Sequence, residues 1–157
     1  MLKPIFLFAL SCTVLAEVPS EEERDEIIYC HTILRERVKP TASNMHLLTY
    51  SAKLEQLADE FVSACGVPSA DFSKKLKNLG YIFPLSGDQK HQYHDVLCHV
   101  KSNNYNYKYD NCTGGCFDYK QMVWAASTEV GCAIHRCPPN HVHIRPFYEM
   151  RCLYSPG

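Results

Sequence analysis

The chain lacks an apolar run long enough to cross a bilayer. Its longest, Ile5 to Leu15, falls well short of the ~20 residues that a spanning helix needs. It also lacks an excess of either charge: 16 Lys and Arg stand against 17 Asp and Glu, a formal net charge of −1. No basic stripe interleaves with aromatics, so nucleic acid is not an expected partner. No G-x-S-x-G or comparable local signature marks a nucleophile, and hydrolase chemistry is not expected. The C-terminus carries no lipidation signal, and neither an internal repeat nor a low-complexity tract appears.

Against these absences stands a secretory pattern. Lys3 supplies a positive n-region, Ile5 to Leu15 an apolar h-region, and Val14-Leu15-Ala16 a small-residue cleavage site. Residues 1–16 are therefore expected to be a signal peptide, and residues 17–157 a single domain large enough to build a core. Cysteine parity agrees with that cut. Nine cysteines less Cys12 leave an even set: Cys30, Cys65, Cys98, Cys112, Cys116, Cys132, Cys137 and Cys152. In an oxidising compartment such a set forms a disulfide framework, with about 105 connectivities open to it. Asn111-Cys112-Thr113 matches the N-glycosylation acceptor pattern, although a middle cysteine committed to a disulfide hinders the transferase.

The periodicities outline the elements. Ser20-Glu21-Glu22-Glu23 is a capping box, and Ile27, His31, Leu34 and Val38 continue it as one helical face that Pro40 ends. Ser51 can cap a second helix whose buried face is Leu54, Leu57, Ala58, Phe61, Val62 and Cys65, stopped by Gly66 and Pro68. Residues 71–95 are poorly patterned, since Gly80, Pro84 and Gly87 interrupt any long element. His91 to Asn104 reads as a third helix, with Val96, Leu97 and Val100 inward. Cys112 and Cys116 clip a loop at its neck. Tyr119, Gln121, Met122, Val123 and Trp124 suit a turn and a half of amphipathic helix. Val130 to Ile134 alternates like a half-buried strand, and with Phe147 to Tyr154 it predicts a hairpin that places Cys132 near Cys152.

The segment Phe117 to Cys137, FDYKQMVWAASTEVGCAIHRC, resembles the G-H-[FY]-T-Q-[MV]-V-W signature and the following G-C-A-x-x-x-C of the CAP superfamily, which comprises cysteine-rich secretory, antigen 5 and pathogenesis-related 1 proteins. His31-x-x-x-Arg35, Val38-x-Pro40 and Ala42-x-Asn44-Met45 extend the likeness towards the N-terminus. Arg151 to Gly157 resembles the second signature, with Leu153 in place of the usual Asn. The resemblance implies an α+β fold, an α-β-α sandwich with a small antiparallel sheet between helical layers. It also implies the pairs Cys65–Cys137 and Cys132–Cys152, with Cys112–Cys116 as a local clip. Cys30 and Cys98 then remain, either bridging the first and third helices or held as free buried thiols.

CAP cavities usually gather two His and two Glu, a set able to hold a divalent metal. Here the four positions fall on Ser69, on Lys77 or Tyr81, on His99 or Lys101, and on Asp118. None keeps the family residue, so neither a metal nor any other cofactor is expected. A rebuilt set of His91, His94, Cys98, His99 and Asp118 reads more simply as a polar helix face with a disulfide cysteine. His141-x-His143 reads as an exposed polar turn, and His31, on the apolar face of the first helix, as a satisfied core histidine rather than a base.

The resemblance then leaves two binding roles. One is extracellular protein recognition or immunomodulation by a monomer, as in venom allergen-like proteins of parasitic worms. The other is sterol or fatty-acid binding at the loop 105–117, whose Tyr105, Tyr107, Tyr109 and Phe117 offer large faces with polar tips. A contiguous apolar concavity beside that loop would favour lipid; flat, exposed aromatics would favour a protein partner. Stable membrane insertion is not expected.

Overall fold

The computed structural model describes residues 18–66 and 69–157. The expected signal peptide and the helix-stopping Pro68 lie outside them. Helix α1 (Glu21–Glu36) opens on the capping box: Ser20 Oγ accepts from Glu23 N–H at 3.2 Å, and the Glu23 carboxylate accepts from Ser20 N–H at 2.8 Å. Its buried residues include Ile27, Cys30 and His31. It stops before Val38, because a proline at 40 already disfavours helical backbone at the residue ahead of it, and Arg37 N–H closes the last turn on Leu34 O at 3.3 Å.

A short strand β1 (Thr49–Tyr50) leads into α2 (Ala52–Ser63), whose inner face buries Leu54, Ala58, Phe61 and Val62. Ser51 stands at its N-cap, but the side chain makes no capping bond. The Ser51 backbone instead ties the helix to the sheet, donating to Val130 O at 2.8 Å and accepting from Glu55 N–H at 2.9 Å. Helix α3 (Ala70–Lys75) follows, capped by Ser69.

The middle of the chain departs from expectation. Gly80, Pro84 and Gly87 do not prevent a long element, since β2 (Gly80–Gly87) is eight residues long. Its register with the last strand shifts between Ile82 and Leu85, and Pro84 sits in that irregularity, where a missing N–H costs no ladder bond. The third predicted helix shrinks to α4 (Tyr93–Leu97). Lys101 to Asn104 bring no apolar residue to the core, so further turns would lack the tertiary packing that stabilises short helices. The loop after it is partly regular: β3 (Tyr105–Asn106) pairs with β4 (Asn111–Cys112) around a 3₁₀ turn, Tyr107–Tyr109.

Helix α5 (Phe117–Met122) is followed by the hairpin of β5 (Glu129–Cys137) and β6 (Phe147–Ser155). The sheet order is β1-β5-β6-β2. The β5–β6 and β6–β2 pairs form the expected small antiparallel sheet, and β1 joins its edge parallel to β5. Residues 51–128 lie between the two strands, ample chain for a crossover.

Strand alternation divides the core. Val130, Cys132 and Ile134 of β5, with Met150, Cys152 and Tyr154 of β6, face a cluster that includes Ile27 and Cys30 of α1, Leu97 of α4 and Met122 of α5. Ala133 and Leu153 face the other way, onto Leu54, Ala58, Phe61 and Val62 of α2 and Phe72 of α3. The sheet thus lies between two helical layers. Gly131 sits where α2 comes closest: a Cβ there would stand 2.2 Å from Glu55 N and 2.7 Å from Ser51 O.

All eight described cysteines are paired, as Cys30–Cys98, Cys65–Cys137, Cys112–Cys116 and Cys132–Cys152. Cys30–Cys98 joins α1 to the end of α4, and Cys65–Cys137 joins the segment after α2 to the end of β5. Cys132 and Cys152 are direct register partners on neighbouring strands. No helix among the described residues is long and apolar enough to cross a membrane.

Candidate functional site

Two concavities flank α5. The smaller, about 320 Å³, is lined among others by Pro84, His99, Lys101, Phe117, Asp118 and Tyr119. Asp118, in the first turn of α5, is half-buried, and its Oδ1 accepts from Phe83 N–H at 3.2 Å. Burial pushes this carboxyl above the usual carboxylate range, and the Phe83 N–H partly opposes the shift. His99 is exposed at the rim, and its Nδ1 donates to Asp95 O at 2.8 Å.

The four expected cavity positions therefore do not converge. Asp118 and His99 line one cavity, and Lys101, the alternative to His99, lines it too. Ser69 is exposed at the start of α3, and its hydroxyl accepts from Phe72 N–H at 3.2 Å. Tyr81 joins an aromatic cluster, with ring centroids 6.0 Å from Phe61, 5.0 Å from Phe83 and 6.0 Å from Phe117. Lys77 lines a different groove, beside α2. A seryl hydroxyl and a phenol directed elsewhere cannot complete a divalent-metal set with Asp118 and His99, so these residues do not fit the metal that the fold family accommodates.

The alternative donor set is also spent. Among the described residues, Cys30, His94 and Cys98 bring metal-capable atoms within 4.8 Å of one another, but Cys30 and Cys98 are bonded to each other and offer no thiolate. His91 is exposed ahead of α4. His141 is exposed, whereas His143 is half-buried, stacks on Phe147 at 4.0 Å and meets Ser86 Oγ at 3.3 Å.

The larger concavity, about 780 Å³, runs between the segment 38–45, the β3–β4 hairpin and the end of α5. Val38, Pro40, Met45, Val123 and Ala125 supply apolar wall, and Tyr105, Tyr107, Tyr119 and Trp124 supply aromatic faces. Tyr105 is the pivot of the aromatic side, with centroids 6.5 Å from Tyr107 and 6.1 Å from Tyr119. Its hydroxyl donates to Asp110 Oδ1 at 3.0 Å, and Lys120 Nζ reaches the same oxygen at 2.6 Å while standing 5.2 Å above the Tyr105 ring. The bond to Lys120 holds the Asp110 carboxyl below its ordinary value. The four expected ligand residues are thus divided: Tyr105 and Tyr107 line this groove, Phe117 lines the smaller cavity, and Tyr109 lines neither. Asn111 is exposed, next to the disulfide-bonded Cys112.

Three buried polar centres hold the frame behind this region, and of them only His31 was read as such from the linear pattern. Arg35 sends Nη1 to Met122 O at 3.0 Å and Trp124 O at 2.9 Å, and Nη2 to His46 O at 2.7 Å and Ser127 O at 3.2 Å. It gathers the backbone after α5 onto α1 and so shapes the larger groove. One turn earlier, His31 bonds Ile27 O at 2.7 Å and Tyr154 Oη at 2.8 Å, a satisfied core histidine. Glu55 receives a forked pair from Arg24, both bonds at 2.9 Å, and the Tyr50 hydroxyl at 2.7 Å. A charged residue at a helical position facing the core was the available signal for Arg35 and Glu55, but periodicity cannot say which carbonyls or charges would meet it.

Residues 28–148 match the family model described as the cysteine-rich secretory protein family, CAP. The chain belongs to this family. Human cysteine-rich secretory protein LCCL domain-containing 1 is 30% identical over 151 residues, which cover 87% of this chain and 30% of that protein. Peptidase inhibitor 15 of Xenopus laevis is 29% identical over 157 residues, covering 87% of this chain and 58% of that one. The CAP chain described here thus spans only part of the length of these relatives. Among solved structures, venom allergen-like protein 4 of Schistosoma mansoni matches with a TM-score of 0.67 at 23% identity, over 88% of this chain and 90% of that one. NaASP2, solved with Zn2+, matches at 0.62 and 19% identity, over 87% and 80%. Both likenesses establish the fold alone.

Proposed function

We propose that this CAP protein is secreted, performs no catalysis, and acts by recognising an extracellular protein through the aromatic face around α5. One observation carries the reading. Tyr107, Tyr109, Phe117 and Trp124, close together in sequence, are each between 49 and 66% exposed. Rigid aromatic side chains standing in solvent are what protein interfaces are enriched in, and they lose little conformational entropy on contact. The absence of catalysis is supported by Ser69, Tyr81, His99 and Asp118 at the cavity positions, where no nucleophile–base pair is assembled. Secretion is supported by the paired cysteines and by the leader pattern at residues 1–16.

The test is binding of labelled protein to cells of a host tissue, with and without prior protease stripping, against a Tyr107→Ala/Trp124→Ala variant. Saturable binding that is lost on stripping and in the variant is the expected result. Binding that survives both overturns the proposal.

The larger groove supports a second reading. Its volume lies within the usual range for small-molecule sites, and its apolar wall suits a sterol or fatty acid. Tritiated sterol binding that is lost on Tyr105→Ala/Tyr107→Ala but kept on Tyr109→Ala would favour this role, since Tyr109 does not line the groove.

A further inference from the structure

The tip of the β5–β6 hairpin combines three features that the proposed recognition face does not use. Val142 is 69% exposed and Ile144 89% exposed, so two aliphatic side chains stand in water two residues apart. They are held there by a closed turn. Asn140 Oδ1 accepts from Val142 N–H at 2.9 Å and His143 N–H at 2.8 Å, and Asn140 N–H donates to His143 O at 2.8 Å. The His143 ring, stacked on Phe147 and bonded to Ser86, anchors the turn to β6 and β2. The hydrogen-bonded turn thus holds an exposed pair of aliphatic side chains together in water, rather than a single scattered surface residue.

The third feature is charge. From Val130 to Tyr148 the chain has no Asp or Glu, while Arg136, Arg145, His135, His141 and His143 fall in that stretch. Arg136, His141 and Arg145 are exposed around the two aliphatics. The nearest acids in sequence or register are Glu149 of β6, opposite His135 and bonded to Arg151, and Asp88, just past the Gly87–Tyr148 pair, with Lys90 two residues further on. A protein whose formal net charge is −1 therefore concentrates cationic groups at one end of its longest hairpin.

We propose that this tip docks the protein peripherally on an anionic lipid surface, Val142 and Ile144 entering the headgroup boundary while Arg136 and Arg145 meet lipid phosphates and carboxylates. Aliphatic and cationic groups together distinguish a membrane from a polyanionic chain, which would use the arginines and leave the aliphatics in water. Two side chains give shallow, reversible docking rather than a span.

The experiment is co-sedimentation of the full chain, produced in an oxidising host, with sterol-free vesicles of phosphatidylcholine alone or with phosphatidylserine added, at low and physiological salt. Binding is expected only with phosphatidylserine. It should fall by about tenfold or more in Val142→Ser/Ile144→Ser, since fully withdrawing two aliphatic side chains from an apolar phase corresponds to about a hundredfold or more and headgroup-level docking buries them only in part. It should fall by a similar factor in Arg136→Gln/Arg145→Gln and weaken with salt. All four positions are solvent-facing, and near-ultraviolet circular dichroism checks that the variants fold. No binding to phosphatidylserine vesicles overturns the proposal. So does binding that both variants retain, or vesicle binding that the arginine variant loses and the aliphatic variant keeps in full, the pattern of a polyanion site that leaves the aliphatics in water. Because the vesicles contain neither protein nor sterol, the outcome is independent of either reading of the aromatic face.

Discussion

Acidification should destabilise this fold, and the histidine between Ile27 and Tyr154 sets the size of the effect. His31 is fully buried, with Nδ1 donating to Ile27 O and Nε2 receiving the Tyr154 hydroxyl, an arrangement that uses the neutral ring. Burial holds its pKa down at about 4, against an ordinary 6.5; the Ile27 carbonyl opposes this, and the neighbouring Arg35 guanidinium adds to it. The unfolded chain therefore takes up the proton first as the pH falls. Stability from this group is complete above pH 6.5 and is lost as the pH descends towards 4. Linkage puts the loss at about 2 kcal/mol by pH 5 and about 3 kcal/mol by pH 4, a large part of a domain's typical 5–15 kcal/mol. Asp59 and Asp118, both raised by burial, act in the opposite sense, so the wild-type curve alone does not isolate His31. The assay is urea unfolding with disulfides intact, from pH 7 to pH 4.5, for the wild type and His31→Gln. The variant should be less stable at pH 7, and the gap should close as the pH falls. A gap that stays constant, or an NMR titration of the His31 ring with its midpoint near 6.5, would refute the reasoning.

Three further outcomes follow from named contacts. Arg35→Met should cost about 3 kcal/mol or more in urea unfolding, because buried carbonyls of Met122, Trp124, His46 and Ser127 lose their donors together. Arg35→Lys should recover only part of this, since an ammonium cannot serve two pairs of carbonyls as a planar fork does. Gly131→Ala should abolish recovery of folded protein or lower its unfolding midpoint sharply, because the added methyl meets α2 backbone rather than a movable side chain. Replacing Cys30 and Cys98 with serine should cost about 4 kcal/mol by loop-closure entropy, whereas replacing Cys112 and Cys116 should cost about 2 kcal/mol, as the pairs close loops of 68 and 4 residues. Differential scanning calorimetry on both double variants would expose a reversed order.

The first two helices were legible because each needs only local signals. Ser20 and Glu23 make the capping box within one turn, and Leu54, Ala58, Phe61 and Val62 mark one face at a fixed period. The β5–β6 hairpin was legible for the same reason, through the alternation around Cys132 and the facing position of Cys152. Residues 80–87 were not, because a strand containing Pro84 is tolerated only where a register shift spares it a ladder bond, and that shift is a property of the pairing with β6. The span 91–104 was overextended because its polar end has helical residue types but no partner to pack on. At the site, the residue types at the expected cavity positions were readable one by one. That Ser69 and Tyr81 turn away from Asp118 and His99, or that Tyr109 stands outside the groove beside Tyr105 and Tyr107, was not.

Sequence by itself determined family membership, the helix starts and the even cysteine set. Each of these is a matter of which residue types occupy which positions. Tertiary structure alone decided that Cys30 meets Cys98, that β1 joins the sheet in parallel, that Arg35 closes the backbone behind the aromatic groove, and that Val142 and Ile144 stand out from an acid-free hairpin tip. The physical reason is range. Capping, periodicity and composition act over a few residues, whereas the Cys30–Cys98 bridge, the β1–β5 edge and the Arg35 contacts to the backbone after α5 join segments from 68 to 92 residues apart.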